Sequence, residues 1–208
     1  MNGDQRIREV ATALFYERGY HGTTMREIAG GAGMKAASLY NHYPGKQQLF
    51  HRIVADTTRA LGEEARVRLT GCDDPEGRLR ALIDCHVRFH IDNRLAARVS
   101  EDQLGALEPA NRAHVVGLRD DYERLFKEIL DAGRVEAGWR VPDVAVVSSG
   151  IATMCTQVAT WFRESGRLTA GDVARIFADL ALSGLSPPPA PAALGEDGAD
   201  QLTGGLIR

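Results

Sequence analysis

At 208 residues, with 44% apolar and 25% charged side chains, the chain has the size and composition of a globular protein of one or two domains with a sizeable core. No run of 18 uninterrupted apolar residues predicts a membrane span, and the opening MNGDQRIREV lacks an apolar signal core, so a cytoplasmic protein is expected. Three widely spaced cysteines, Cys72, Cys85 and Cys155, argue against a disulfide framework or a zinc site and fit a reducing compartment. The net charge of −3 is unevenly spread: residues 1–50 hold six Lys/Arg against four Asp/Glu, the remainder nineteen against twenty-four. A mildly basic end on an acidic body fits a DNA-contacting end and a self-associating end.

In chain order, Asp4 to Arg18 reads as an amphipathic helix, with Ile7, Val10, Ala11, Leu14 and Phe15 on one stripe. Gly19 ends it, and Tyr20 is expected to tuck into a small core. Thr23 or Thr24 caps the next helix, Glu27 standing at the capping-box spacing from Thr24. Gly33 supplies the turn, and Lys35 to His42 follows with Leu39 as its inward anchor. Ala36, Ala37 and Ser38 are small enough for that segment to approach another surface closely. Pro44-Gly45 stops it and Lys46 opens a third helix. Two short helices joined by a glycine turn form a helix-turn-helix. Lys35, Ser38, Tyr40, Asn41, His42 and Tyr43 offer donors and acceptors to phosphates and base edges. Among them Asn41, Lys35 and Ser38 are the expected base readers, and Lys46 is expected on a phosphate.

A long connecting helix, Lys46 to about Thr70, points Leu49, Phe50, Ile53 and Val54 towards the first domain and Leu61, Val67 and Leu69 towards a second. Gly71 to Pro75 is a turn cluster. Helices are then predicted over Pro75–Asp92, Asn93–Leu104, Pro109–Glu136, Asp143–Ser165 and, capped by Thr169, to Ser183. The stretch from Ser186 is rich in Pro, Ala and Gly and is expected to be disordered. The architecture predicted is all-α: a helix-turn-helix domain over residues 1–50, a helical bundle over 51–185 and a tail over 186–208.

The residues Ala11, Leu14, Phe15, Gly19, Tyr20, Thr23, Thr24, Ile28, Ala29, Ala32, Gly33, Leu39, Tyr40, Tyr43, Lys46 and Leu49 form an ordered set. In it the chain from Ile7 to Phe50 resembles the N-terminal domain of the TetR family of bacterial transcriptional repressors. Lys35 stands where that family usually places a Ser or Thr cap. The resemblance implies DNA binding through Thr23, Thr24, Lys35, Ala36, Ala37, Ser38, Tyr40, Asn41, His42, Tyr43 and Lys46. It also implies a ligand cavity in the body and a homodimer formed through the last two helices. The patterns Glu108-Pro-x-x-Arg112, Arg119-Asp-x-Tyr122-Glu and Trp161-Phe-Arg-x-x-Gly166-Arg-Leu look like the subgroup that controls lipid, steroid and fatty-acid breakdown, several of which respond to acyl-CoA thioesters.

Catalytic chemistry has no support in the sequence. His86 and His90 are four apart on one helical face, but Val87 stands where a zinc-protease motif needs Glu. GxSxG, Walker and CxxC patterns are absent. No metal and no cofactor is expected. An acyl-CoA needs an apolar slot and cations for its phosphates. The expected ligand residues are His86, Phe89, His90, Arg119, Tyr122, Met154, Gln157 and Trp161, with Arg88, Arg94, Arg98 and Arg163 as further phosphate partners. The expected protein is therefore a dimeric repressor that binds a palindromic operator and is released by a small hydrophobic effector. The alternatives are a multidrug sensor or an activator of the same fold and, more remotely, a small all-α enzyme.

Overall fold

The structure, a computed structural model, describes residues 3–186. The expected tail lies outside them except for Ser186. Among the described residues there are ten α-helices, one 3₁₀ turn and no strand. Helix α1 (Gly3–Arg18) buries Ile7, Ala11 and Phe15. Helix α2 (Met25–Gly31) starts at a complete capping box. The Thr24 hydroxyl accepts from the Glu27 N–H at 3.3 Å, and the Glu27 carboxylate accepts from the Thr24 N–H at 2.8 Å. Gly33, at φ +70°, makes the left-handed turn that only a residue without Cβ adopts freely. Helix α3 (Ala36–His42) is anchored by the fully buried Leu39, and its first turn has no side-chain cap because Lys35 stands there.

Helix α4 (Lys46–Leu69) runs through Gly62 without interruption and serves two apolar interiors. Leu49, Phe50, Ile53, Val54 and Ala55 join Ile7, Phe15, Tyr20, Ile28 and Leu39 in the first. There Phe50 meets Phe15 edge-on at 5.1 Å and Tyr20 at 4.9 Å. Leu61 and Ala65 belong to the second, which is built around α5 (Pro75–Asp92). Helix α5 packs on α4, α7 (Pro109–Glu136), α8 (Val144–Thr156) and α10 (Ala170–Leu185). Helix α6 (Arg94–Asp102) and the 3₁₀ turn Leu104–Ala106 cross back over α1 and α4. As a result Val99, Leu107 and Val115, far along the chain, complete the core of the N-terminal head.

The helix expected over Asp143–Ser165 is shorter. It stops at Thr156, resumes for one turn as α9 (Val158–Trp161), and turns extended at Phe162. By length and composition alone Val144–Trp161, with a mean hydropathy of 1.3 over 18 residues, qualifies as a membrane span. A search for uninterrupted apolar runs passes over it, since Ser, Thr and Gly interleave. In the structure the stretch is broken at Gln157 and its buried face lies on α5 and α7. At the far end of α7, Trp139 lies on Gly133 so closely that a Cβ there would sit 2.0 Å from the indole. The Arg140 N–H donates to the Leu185 carbonyl at 2.8 Å, tying this loop to the end of α10.

Candidate nucleic-acid interface and effector cavity

On the head, Lys35, Ala37, Ser38, Tyr40, Asn41 and His42 are exposed or partly so, and Tyr40 is half open to solvent. Ala36 is partly covered and packs on the head core. Thr24 is exposed, but its hydroxyl serves the α2 cap. Three residues expected at the DNA surface have their polar atoms engaged inside the head. Thr23 is fully buried, and its one hydroxyl proton is shared between the Gly19 carbonyl at 2.9 Å and the Leu14 carbonyl at 3.1 Å. Tyr43 is buried, and its hydroxyl donates to Asp4 at 2.6 Å. The Lys46 ammonium donates to the Tyr20 and Thr23 carbonyls, both at 2.7 Å, and stands 4.3 Å from the centre of the Tyr20 ring. A cation at a helix N-terminus opposes the helix dipole, and these two carbonyls and the ring face offset that cost.

Sequence reasoning missed two cations. Arg6 and Arg26 are exposed, and the Arg6 guanidinium lies 3.5 Å from where a Cβ on Gly33 would stand, beside the helix-turn-helix turn. In contrast, Arg8 is paired with Asp4 and Asp56, and Arg18 with Glu27. Of these exposed cations, Arg6 stands beside the turn and Arg26 at the start of α2.

Two glutamines fasten the head to the body. Gln103, just after α6, donates to the Phe15 carbonyl at 2.7 Å and accepts from the Tyr20 N–H. Gln47 on α4 donates to the Tyr20 hydroxyl at 2.8 Å and to the Ala106 carbonyl at 2.7 Å, and accepts from the Glu108 N–H at 3.1 Å. His51 of α4 and His114 of α7 share a hydrogen bond of 2.8 Å; burial and the neighbouring imidazole push the His51 pKa down.

A cavity of about 250 Å³ lies between α4, α5, α6, α7 and α8. Six of the eight expected ligand residues are on its wall: His86, Phe89, His90, Arg119, Tyr122 and Gln157. Met154 and Trp161 are not. Met154 packs against the body core, and Trp161, half exposed, meets Phe177 of α10. Sequence reasoning missed Thr57 and Thr58 on α4, Ser100 and Glu101 on α6, and Thr153 and Thr156 on α8, all on the wall. The two histidine rings stack 4.3 Å apart. His86 is held between the Tyr122 hydroxyl and the Thr156 hydroxyl, each at 2.9 Å. Burial keeps both histidines neutral: His86 is pushed well below the usual range and His90 to about 4. Burial also drives the Tyr122 hydroxyl upward and the Cys85 and Cys155 thiols to about 11 and about 12, so neither thiol is reactive. Among the described residues no cluster of three or more metal-binding side chains occurs.

Of the expected phosphate partners, Arg119 is drawn to the Ser100 carbonyl at 2.9 Å and to Glu101 at 3.0 Å. Arg88 lies with Asp84, away from the cavity. The cavity shares His90, Ala97, Glu101, Thr156 and Gln157 with a smaller one that Arg98 also lines. That one shares Ala159 with an outer groove bordered by Arg94 and Arg163.

Comparison with known proteins matches residues 7–53 to the family described as bacterial regulatory proteins, tetR family, and residues 72–185 to the tetracyclin repressor-like C-terminal domain. The HTH-type transcriptional repressor KstR2 of Rhodococcus jostii is 26% identical over 184 residues, which are 88% of this chain and 90% of that one. The TetR-family regulator PfmR of Thermus thermophilus superposes with a TM-score of 0.79 at 31% identity, over 88% of this chain and all of that one. AibR, solved in complex with isovaleryl coenzyme A and operator DNA, superposes with a TM-score of 0.78 at 25% identity, over 86% and 97% of the two chains. These relatives are transcriptional regulators and not enzymes. With a head built on a helix-turn-helix and a C-terminal match that alone spans more than half of its residues, the chain belongs to the TetR family of bacterial regulatory proteins.

Proposed function

We propose that the protein is a cytoplasmic, dimeric repressor that binds a palindromic operator and leaves it when a small hydrophobic effector, an acyl-CoA thioester of lipid or steroid catabolism, occupies the body. The observation that carries this reading is the path of α6. Ser100 and Glu101 line the cavity, and a few residues on, Gln103 holds the end of α1. An effector that moves α6 therefore moves the seat of the head. It shifts the balance between two states only by its difference in affinity for them. The same topology serves a repressor and an activator, so the sign of the response is part of the proposal.

Lys35, Ser38 and Asn41 are assigned to base edges, and Tyr40, Arg6 and Arg26 to phosphates. Thr23, Tyr43 and Lys46 are assigned to holding the recognition helix in place. Support for the thioester comes from the route out of the cavity. The acyl group has room inside, and beyond Gln157 the groove passes Arg98, which is paired with Asp102, and then Arg94 and Arg163, cations that suit phosphates. AibR, with its isovaleryl coenzyme A, supports the same class. For the dimer, α8 has no charged residue from Val144 to Thr156, and Val146, Trp161, Ile176 and Leu180 are exposed on α8, α9 and α10.

The test is selection of duplexes from a random pool by the full chain, followed by titration of the bound duplex with CoA thioesters, free acids and cationic drugs. An inverted repeat with half-sites about one helical turn or more apart, released by thioesters alone, is expected. An asymmetric site, or release by cationic drugs and not thioesters, overturns the dimer or the effector respectively. Ile176→Glu and Leu180→Glu are expected to give monomers by sedimentation that select no inverted repeat.

A further inference from the structure

Several of the polar groups around the cavity, though not the Gln157 amide or the Thr153 hydroxyl, have already committed their protons to the protein. The Thr57 hydroxyl donates to the Ile53 carbonyl at 2.8 Å and the Thr58 hydroxyl to the Val54 carbonyl at 3.0 Å. The Ser100 hydroxyl donates to the Ala96 carbonyl at 2.7 Å. Each is a hydroxyl bonded back onto its own helix, which leaves only lone pairs for anything in the cavity. His90 obeys the same rule. Its Nδ1 lies 2.9 Å from the His86 carbonyl. A carbonyl oxygen can only accept, so Nδ1 carries the proton and the neutral ring has a bare lone pair on Nε2. His90 is 5% exposed and lines the cavity, and Nε2 has no partner among the described residues. Nor is it among the sealed polar atoms that lack a hydrogen bond, a set that among the described residues holds only Arg8 Nε, itself ion-paired with Asp4 at 3.1 Å. It therefore faces open cavity.

The carboxylates on the wall do not ask for a cation. Glu101 is neutralised by Arg119, and Glu123 by Lys127 and by the hydroxyls of Ser148 and Ser149. What is left is a neutral, acceptor-rich lining around an apolar wall of Leu61, Phe89 and Ala97. A plain hydrocarbon chain in such a place strips water from acceptors and gives them nothing in return, a cost comparable to losing the hydrogen bonds themselves.

From this we infer that the effector group entering the cavity carries a hydroxyl, which donates to His90 Nε2. The inference rests on the effector reading above and sharpens it from a thioester in general to a hydroxylated acyl or ring substituent. His90, at the junction of the main cavity and the smaller one leading outward, acts as the specificity residue.

The experiment is calorimetric titration of the full chain with matched compounds. The thioester set is hexanoyl-CoA and its 3-hydroxy and 6-hydroxy derivatives; the CoA-free set is the corresponding methyl esters. At least one hydroxylated compound is expected to bind about 10-fold more tightly than its parent, the measure of one hydrogen bond to a buried acceptor. His90→Leu is expected to abolish that preference, and His90→Gln, which offers an amide oxygen, to restore part of it. Thermal unfolding of each variant without ligand checks that it folds. If His90→Leu does not, His90→Phe, which keeps a ring there without the lone pair, is expected to abolish the preference in its place. Parents that bind as tightly as their hydroxylated partners overturn the inference and leave the thioester reading standing. Hydroxylated esters that bind where no thioester does uphold the inference and sink the thioester reading. Silence from every compound sinks both.

Discussion

Helix α4 passes through two interiors built on different principles. The one around its first half is dry and aromatic. Phe15, Tyr20 and Phe50 interlock, and the polar atoms nearby, those of Thr23, Tyr43, Gln47 and Lys46, are bonded within the protein. The one around its second half encloses a cavity with two stacked histidines and a rim of hydroxyls. A close-packed core transmits displacement as a rigid body, whereas a core with a void has room to rearrange. The difference teaches where a signal is absorbed and where it is only carried. Under the proposed function, the body is the part with room to rearrange and the head the part that would be carried as one piece.

The strongest way to break this contrast is Phe50→Ala. Removing a fully buried ring from the head is expected to cost about 3–5 kcal/mol. Hydrogen exchange should show amides of α1 to α3 opening while α5 and α10 stay protected. A uniform loss of protection across all helices would show that the two interiors are one cooperative unit. Next in size is Gly133→Ala. A methyl within 2.0–2.4 Å of the Trp139 ring atoms must expel the indole, at about 1–3 kcal/mol. The loss belongs to the body alone, so thermal melts should fall while exchange in α1 to α3 is unchanged.

Acid sharpens the comparison further. His86 and His90 are held neutral in the folded body by burial, with pKa values below the ordinary 6.5, His90 at about 4. Between pH 6.5 and about 4 the unfolded chain binds protons that the folded chain refuses, so stability falls as pH falls. Each histidine contributes up to about 1.4 kcal/mol per pH unit in that window. Denaturant titrations at about pH 7, 6 and 5 check it, with His90→Leu flattening the slope; an unchanged slope would mean that His90 is not buried as a neutral ring. The smallest effect is expected at Lys35. Lys35→Ser supplies the missing cap of α3 and should raise stability by about 1 kcal/mol. It also removes an exposed cation, so DNA binding should weaken and its salt slope fall by about one unit. A gain in both would remove Lys35 from the DNA surface.

The head was legible because its signals are local. The stripe from Ile7 to Phe15, the Thr24–Glu27 capping box and Gly33 each act over a few residues, and the structure has them at those places. The body was less so. Nothing in the sequence around Gln157 is a helix breaker, and the end of α8 there is a product of packing. Met154 and Trp161 have the right residue types for a ligand wall, but their phase on α8 and α9 turns them to the body core and to α10. Thr57, Thr58 and Ser100 went unnoticed because a hydroxyl bonded to its own helix leaves no trace in the sequence. For the same reason the internal partners of Thr23, Tyr43 and Lys46 were not legible in the sequence. That Val99, Leu107 and Val115 belong to the head is a long-range fact that no local pattern encodes.

Trp139 is shut against Gly133, while Trp161 stands half in solvent beside Phe177. The chain has only these two indoles, so its ultraviolet emission divides into two channels. The blue-shifted component from Trp139 follows the integrity of the α7–α10 junction. The red-shifted component from Trp161 follows whatever covers the α8–α10 face. With Trp139→Phe and Trp161→Phe to separate them, association and unfolding become visible in one cuvette without a label.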